Sequence, residues 1–430
     1  MIGIVTKNAP GQRSVVPYFA VSSFSYIVFS IIFFIITDQF AYHHTQPKVI
    51  ALTHTATLLI LSTMTMGTLH QFIPVVFKSY LYSWKLAFFN LFLFLFSAAY
   101  LIIAFYYHRF LTHLPVAASL TALSFWIFIF NILMTYRKRQ QNDIASIFIL
   151  TSLFWLFITT IYGLLQAFNF RYSYLDDPSL YLKLHAHFGL AGWFLLLVIG
   201  ISSVLIPMFF ISHRHTDKKL LRYSYYLINA GIFIMWINWQ LIKGQRIFTF
   251  FSWLMVAGGM FFYLKYIYQA FKYKKKKTDI MVLHTALAYI MIFIPLIAGG
   301  LIPALGDNAD AVILKKAIYL YGFGTIIAFY GNLVMGISYR TLPFIVWLIK
   351  YKKFLGKKKV PKPDDLYNYK LGLVQFYTFA IMLVFLIAGL LTQNTIILKG
   401  AALLLLTASV FYNINVFAVI FKSKKIIEPE

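Results

Sequence analysis

The sequence predicts an all-α polytopic membrane protein, with twelve transmembrane helices in three pseudo-repeated four-helix blocks. Three observations carry that prediction. Hydrophobic residues make up 61% of the 430 positions and charged residues 12%, about half the charge of a soluble domain. Apolar runs recur from residue 17 to residue 420, each long enough to cross a bilayer core as a helix. Finally, one segment occurs three times. HTATLLILSTMTMGTLHQFIP (His54 to Pro74) returns as HFGLAGWFLLLVIGISSVLIP (His187 to Pro207) and, more weakly, as FGTIIAFYGNLVMGISYRTLP (Phe323 to Pro343). In the first two copies Gly follows His by 13 residues and Pro follows it by 20. The third keeps Gly336 and Pro343 in register but has Phe323 in place of the histidine. The copies start 133 and 136 residues apart.

Twelve spans are expected at about 17–37, 48–77, 84–106, 115–136, 144–168, 183–212, 222–242, 247–270, 280–304, 313–349, 371–391 and 396–420. They group into blocks at about 17–136, 144–270 and 280–420 of one membrane domain spanning 1–430. Each block has an even number of crossings, so all three share one orientation, as parallel repeats about an axis along the membrane normal do. The first apolar run is too long for a cleavable signal and has no small-residue cleavage site. Within each copy Gly and Pro lie seven residues apart, on nearly one helical face. They read as a close-approach glycine and a helix-bending proline. The one long basic connection, between spans 10 and 11, contains Pro361 and Pro363, which stop it from extending either helix.

The formal net charge is +26, and its placement excludes a nucleic-acid partner. The termini and the connections 2–3, 4–5, 6–7, 8–9 and 10–11 carry 28 Lys and Arg, the other connections 9, and Arg340 lies inside span 10. This asymmetry places both termini and the basic loops in the cytoplasm of a bacterial-type inner membrane. Lys274–Lys277 and Lys357–Lys359 then read as topology signals facing anionic lipid. Lys265 and Arg340 read as snorkelling to the headgroups. The chain has no cysteine, so thiolate metal sites and disulfides are excluded. No acidic residue lies mid-span, which argues against an ion-coupled pump.

Histidine remains. His54, His70, His185, His187 and His284 fall within spans, where an imidazole must find a partner. His54 and His187 share a register position and an expected depth. An imidazole pair facing across a bundle is what six-coordinate haem iron requires, and copper also accepts imidazole. His185, two residues from His187, points about 200° away around a regular helix, toward a neighbouring helix or a propionate. His70 follows His54 by 16 residues, about 24 Å deeper, at the depth expected for His284. A second metal site between His70 and His284, with Met64 and Met66 offering soft sulfur to Cu(I), is the alternative. The remaining six histidines are expected at the interfaces.

Three four-helix blocks with histidines near the outer ends of spans 2 and 6 resemble subunit I of the haem–copper oxidases. The resemblance rests on the His54–Gly67–Pro74 and His187–Gly200–Pro207 segments and on GISYRTLPFIVW (Gly336 to Trp347). By it, His54 matches a low-spin haem ligand and His187 approximates a copper ligand. The outline is also similar to the NnrS haem- and copper-containing membrane proteins linked to nitric oxide stress. The chain departs from the oxidase pattern in span 10, where Tyr321 and Phe323 stand and histidine is absent, and in span 7, which lacks a His-His pair. The resemblance therefore implies a haem protein, b-type, with copper as a possible second cofactor. It would act in electron transfer or in oxygen or nitric oxide handling, with a respiratory-chain electron donor and the lipid bilayer as partners. An oxidoreductase akin to a terminal oxidase or nitric oxide reductase is implied only without the usual binuclear site. The rival expectations are a copper-handling or transport protein using His and Met, and a cofactor-less partner of a respiratory complex.

Overall fold

In the computed structural model, residues 8–306 and 310–421 are described. Lys7, Lys422, Lys424 and Lys425, which enter the loop-charge count, lie outside them, as do Asp307, Glu428 and Glu430. Among the described residues, twelve helices are long and apolar enough to cross a membrane. They are α1 (Gln12–Ile35), α2 (Pro47–Val76), α3 (Trp84–Tyr106), α4 (His113–Arg137), α5 (Ile144–Tyr172) and α6 (Pro178–Phe210). The second half comprises α7 (Lys218–Leu241), α8 (Arg246–Lys272), α9 (Ile280–Leu305), α10 (Ala311–Lys350), α11 (Tyr369–Thr392) and α12 (Thr395–Phe421). No strand occurs among the described residues. Outward faces carry large apolar side chains such as Phe89, Phe92, Phe96 and Phe261, all more than half exposed, a surface that lipid covers without cost.

The starts of these helices explain where many of the acidic residues went. Asp143, Asp177, Asp217, Asp279 and Asp310 each cap a helix, accepting from a backbone N–H of the first turn. A carboxylate there satisfies an orphan donor and meets the positive end of the helix dipole. Pro47 and Pro178 occupy the first helical turn of α2 and α6, where a missing N–H is harmless.

Helix α4 packs on α5, α8 on α9, and α12 back on α1, closing a ring around α2, α6 and α10. Gly67, Gly200 and Gly336 set how closely each inner helix approaches the first helix of its own block. A Cβ on Gly67 would lie 2.5 Å from Tyr18 Cβ, on Gly200 3.0 Å from Phe148 Cβ, and on Gly336 2.4 Å from His284 Cβ. Pro74, Pro207 and Pro343 lie inside the same three helices.

Immediately after His54, His187 and Phe323, each inner helix unwinds into eight residues of π-helix: Thr55–Ser62, Phe188–Leu195 and Gly324–Gly331. Such segments replace the i→i+4 ladder with i→i+5 bonds. Hydroxyls of neighbouring helices add to the backbone donors there. Ser22 Oγ donates to Ile60 O, Tyr330 OH to Leu190 O and Tyr26 OH to Gly331 O, each at 2.7 Å. The inner helices meet around a cavity of about 40 Å³. Met64, Leu197 and Leu333 line it, as do Thr65, Val198 and Val334, and Thr68, Ile201 and Ile337. Each trio occupies one register position of the three copies. Met64 therefore faces the axial cavity.

Arg340 does not snorkel. It is 8% exposed and pairs with Asp279, the cap of α9, and with Asp364 of the 10–11 connection. The sequence places all three at the basic end, but only the tertiary fold brings the cap and the loop to one guanidinium. Lys265 is exposed.

Candidate functional site

The two in-register histidines do not face each other. His54 meets His185: their ring centres are 6.3 Å apart and their planes 23° from parallel. His187 instead packs against Tyr321 of α10, with centres 5.7 Å apart and planes at 25°, and against Trp239 of α7 at 5.3 Å. The reason is one of helix faces: His185 and His187, two residues apart, point to different neighbours of α6, His185 toward His54 and His187 toward Tyr321. The expectation that His187 opposes His54 is thus corrected, and His185 takes that place.

The surroundings hold both rings in one tautomer. His54 Nδ1–H donates to Ile50 O at 2.9 Å, one turn earlier, and His185 Nδ1–H donates to Thr159 O of α5 at 2.9 Å. Neither Nε2 has a hydrogen bond among the described residues. A backbone carbonyl on one ring nitrogen with the other nitrogen free is how a ligating imidazole is oriented. Gly163 makes room for His185, since a Cβ there would lie 2.9 Å from His185 Cε1. Phe105 lies nearly parallel to His54, with centres 5.2 Å apart. A metal bonded at about 2.0 Å to one nitrogen of each ring holds the ring centres roughly 6 Å apart. The separation of this pair fits that span. The end of the bundle beside these histidines carries cations. Lys48 lies over the Tyr106 ring and Lys183 over the Trp239 ring. Burial, with His43 and Lys183 nearby, pushes His44 down to about 4.

The deeper histidines behave differently. His284 has Asn332 Oδ1 2.6 Å from Nδ1 and Gln375 Oε1 2.9 Å from Nε2. A neutral imidazole has one N–H, so one amide must present its NH2. Gln375 Nε2 is engaged with Met335 Sδ, whereas Asn332 Nδ2 has no other partner. Asn332 is thus the donor to Nδ1, and His284 donates from Nε2 to Gln375. His70 is 1% exposed, edged by Tyr18 and Phe128 at 5.3 and 5.6 Å, and neither of its nitrogens has a partner among the described residues. The two histidines lie in different blocks with separate enclosures, so the expected His70–His284 metal site is not assembled. No three His, Cys, Asp or Glu converge on a common point among the described residues, and a three-histidine copper site is therefore absent from them.

Sequence reasoning missed Thr159 and Gly163 as the groups that seat His185. Tyr321 and Gly299 are the register equivalents of His185 and Gly163, each 136 residues on, and that spacing was the available signal. No protein-family model matches the chain, and no curated protein matches it.

Proposed function

We propose that the chain is a haem-binding inner-membrane protein built from three copies of a four-helix unit, with both termini cytoplasmic. In this reading His54 and His185 would hold a b-type haem through their free Nε2 atoms, and the protein would serve electron transfer or the handling of oxygen or nitric oxide. The observation that carries the reading is the His54–His185 geometry: a fitting separation, two Nδ1–H groups committed to carbonyls and two Nε2 lone pairs free. When bound, haem would supply a one-electron redox centre, and an electron-donor protein would be its partner. The chain's residues do the rest. Ile50 O and Thr159 O fix the tautomers, and Gly163 gives the His185 ring its space. Lys48 and Lys183 offer cations at the outer rim to carboxylates of a bound group. The apolar interior excludes water from the centre and favours the less charged oxidation state.

The test is a reduced-minus-oxidised spectrum of the purified protein from haem-replete cells. We expect a low-spin haem signal that is lost in His54→Ala and in His185→Ala and retained in His284→Leu. A protein free of haem, or one whose signal survives both alanine variants, would end this reading.

A further inference from the structure

The interface between the second and third blocks repeats the first site with one ligand changed. We infer that His187 and Tyr321 form a second, unsymmetrical metal site, for an oxidised transition-metal centre that takes one imidazole nitrogen and one phenolate oxygen. The inference rests on the reading of the His54–His185 pair, carried one interface further.

Three observations place the site. First, the residues are in register: His187 follows His54 by 133, and Tyr321 and Gly299 each follow His185 and Gly163 by 136. Second, the geometry recurs. His187 Nδ1–H donates to Lys183 O at 2.8 Å, one turn earlier, as His54 does to Ile50 O, and the ring planes again lie close to parallel. Gly299 backs the tyrosine as Gly163 backs the histidine, because a Cβ there would lie 3.1 Å from Tyr321 Cε2. Third, the remaining interface is plugged. Phe323 stands where the histidine would be and packs on Phe33 and Phe40, with ring centres 5.5 and 5.4 Å away. Phe33 is the α1 counterpart of Gly163, counted from the residues that meet Gly67 and Gly200. A glycine opens two interfaces, and a phenylalanine fills the third.

The chemistry follows from the changed ligand. Imidazole suits iron and copper alike, and tyrosinate is an established ligand of oxidised haem iron. Cu(II) and ferric haem iron share that preference. The phenolic oxygen projects farther from its ring than an imidazole nitrogen does. At a ring separation of 5.7 Å, a shared ion therefore takes the two groups as neighbours in its shell and not as opposite ligands. Positions stay open for a third, external ligand, whereas the bis-imidazole pair leaves none on the axis. Forming the metal–oxygen bond displaces the phenolic proton, so one proton is released to the medium for each ion bound.

The experiment uses the full-length protein in detergent, as isolated and after adding Cu(II), with haem and metal quantified alongside the visible and resonance Raman spectra. We expect a phenolate-to-metal charge-transfer band that azide perturbs. His187→Ala should lose one metal equivalent together with the band. Tyr321→Phe, close in shape to the wild type, should lose the band and weaken metal retention roughly tenfold. Gly299→Ala, which crowds Tyr321, should shift the band. Haem and copper content decide whether the centre is haem iron or a copper ion. His54→Ala and His185→Ala should leave the band in place. A band surviving in Tyr321→Phe, or the absence of any phenolate band in protein carrying its His54–His185 cofactor, overturns the inference. If the His54 and His185 variants remove nothing while Tyr321→Phe abolishes the band, the second site stands and the first reading fails.

Discussion

His70 and His284 are both almost wholly buried at the basic end of the bundle, each beside a tyrosine: Tyr18 for His70, Tyr339 for His284. In the first block the tyrosine is on α1 and the histidine on α2. In the third the histidine is on α9 and the tyrosine on α10, and positions 70 and 339 share a register. The polar surroundings differ completely. His284 is held by two amides, and the same end of the block is tied by Arg340, Asp279 and Asp364. His70 has the rings of Tyr18 and Phe128 against it and no hydrogen bond among the described residues. The difference shows that one packing position tolerates both a satisfied polar network and a bare imidazole, so burial alone does not report what a histidine contributes.

The largest expected effect is at Arg340. Removing one partner of a buried ion pair strands the others, so Arg340→Ala should destabilise by about 3 kcal/mol. Reversible unfolding in mixed micelles would measure it, and a loss within error of zero would mean the third block is not tied at this end. Next comes the amide network. Gln375→Leu leaves a buried His284 nitrogen unpaired and should cost about 1–3 kcal/mol. Adding His284→Leu should recover part of that loss, giving a coupling in a double-mutant cycle that a purely apolar contact would not show. In the first block the sign should change. His70→Phe removes unsatisfied polar atoms from an aromatic enclosure and should be neutral or stabilising by up to about 1 kcal/mol. A marked destabilisation would show that His70 has a partner that its counterpart does not need. The last effect belongs to the opposite end, is absent near neutral pH, and gives a baseline for acid sensitivity. His44 is held at about 4 by burial and nearby positive groups, against roughly 6.5 when unfolded. Its contribution is present above pH 6.5 and is lost as pH falls toward 4, because the unfolded chain takes up the proton first. His44→Gln should flatten the stability–pH curve in that window only.

The fold was largely legible in the sequence. Apolar runs gave twelve spans, and the His–Gly–Pro segments gave the inner helices α2, α6 and α10, because lipid forces each crossing to satisfy its own backbone. The site was half legible. His54, His185 and His187 stood out as imidazoles in an apolar interior, but register alone paired the wrong two, since it reports equivalence and not contact. Thr159 and Gly163 gave no local signal: a carbonyl acceptor and a missing side chain acquire meaning only when α5 meets α6. Arg340 was misread for a related reason. Its partners lie 61 and 24 residues away in sequence, outside any periodicity that a helix imposes.

The hydroxyls that serve the three π-helical segments also fix an order of completion. The second block's Leu190 carbonyl waits for Tyr330 of the third block, and the third block's Gly331 carbonyl is met by Tyr26 of the first. A ribosome releases these blocks in sequence, yet the second is finished only by the third, and the third only by returning to the first. The protein is therefore no string of separable modules. Its first helix stays partly unspent until the tenth has been inserted, and a chain stopped after the second block leaves the Leu190 carbonyl without the Tyr330 hydroxyl.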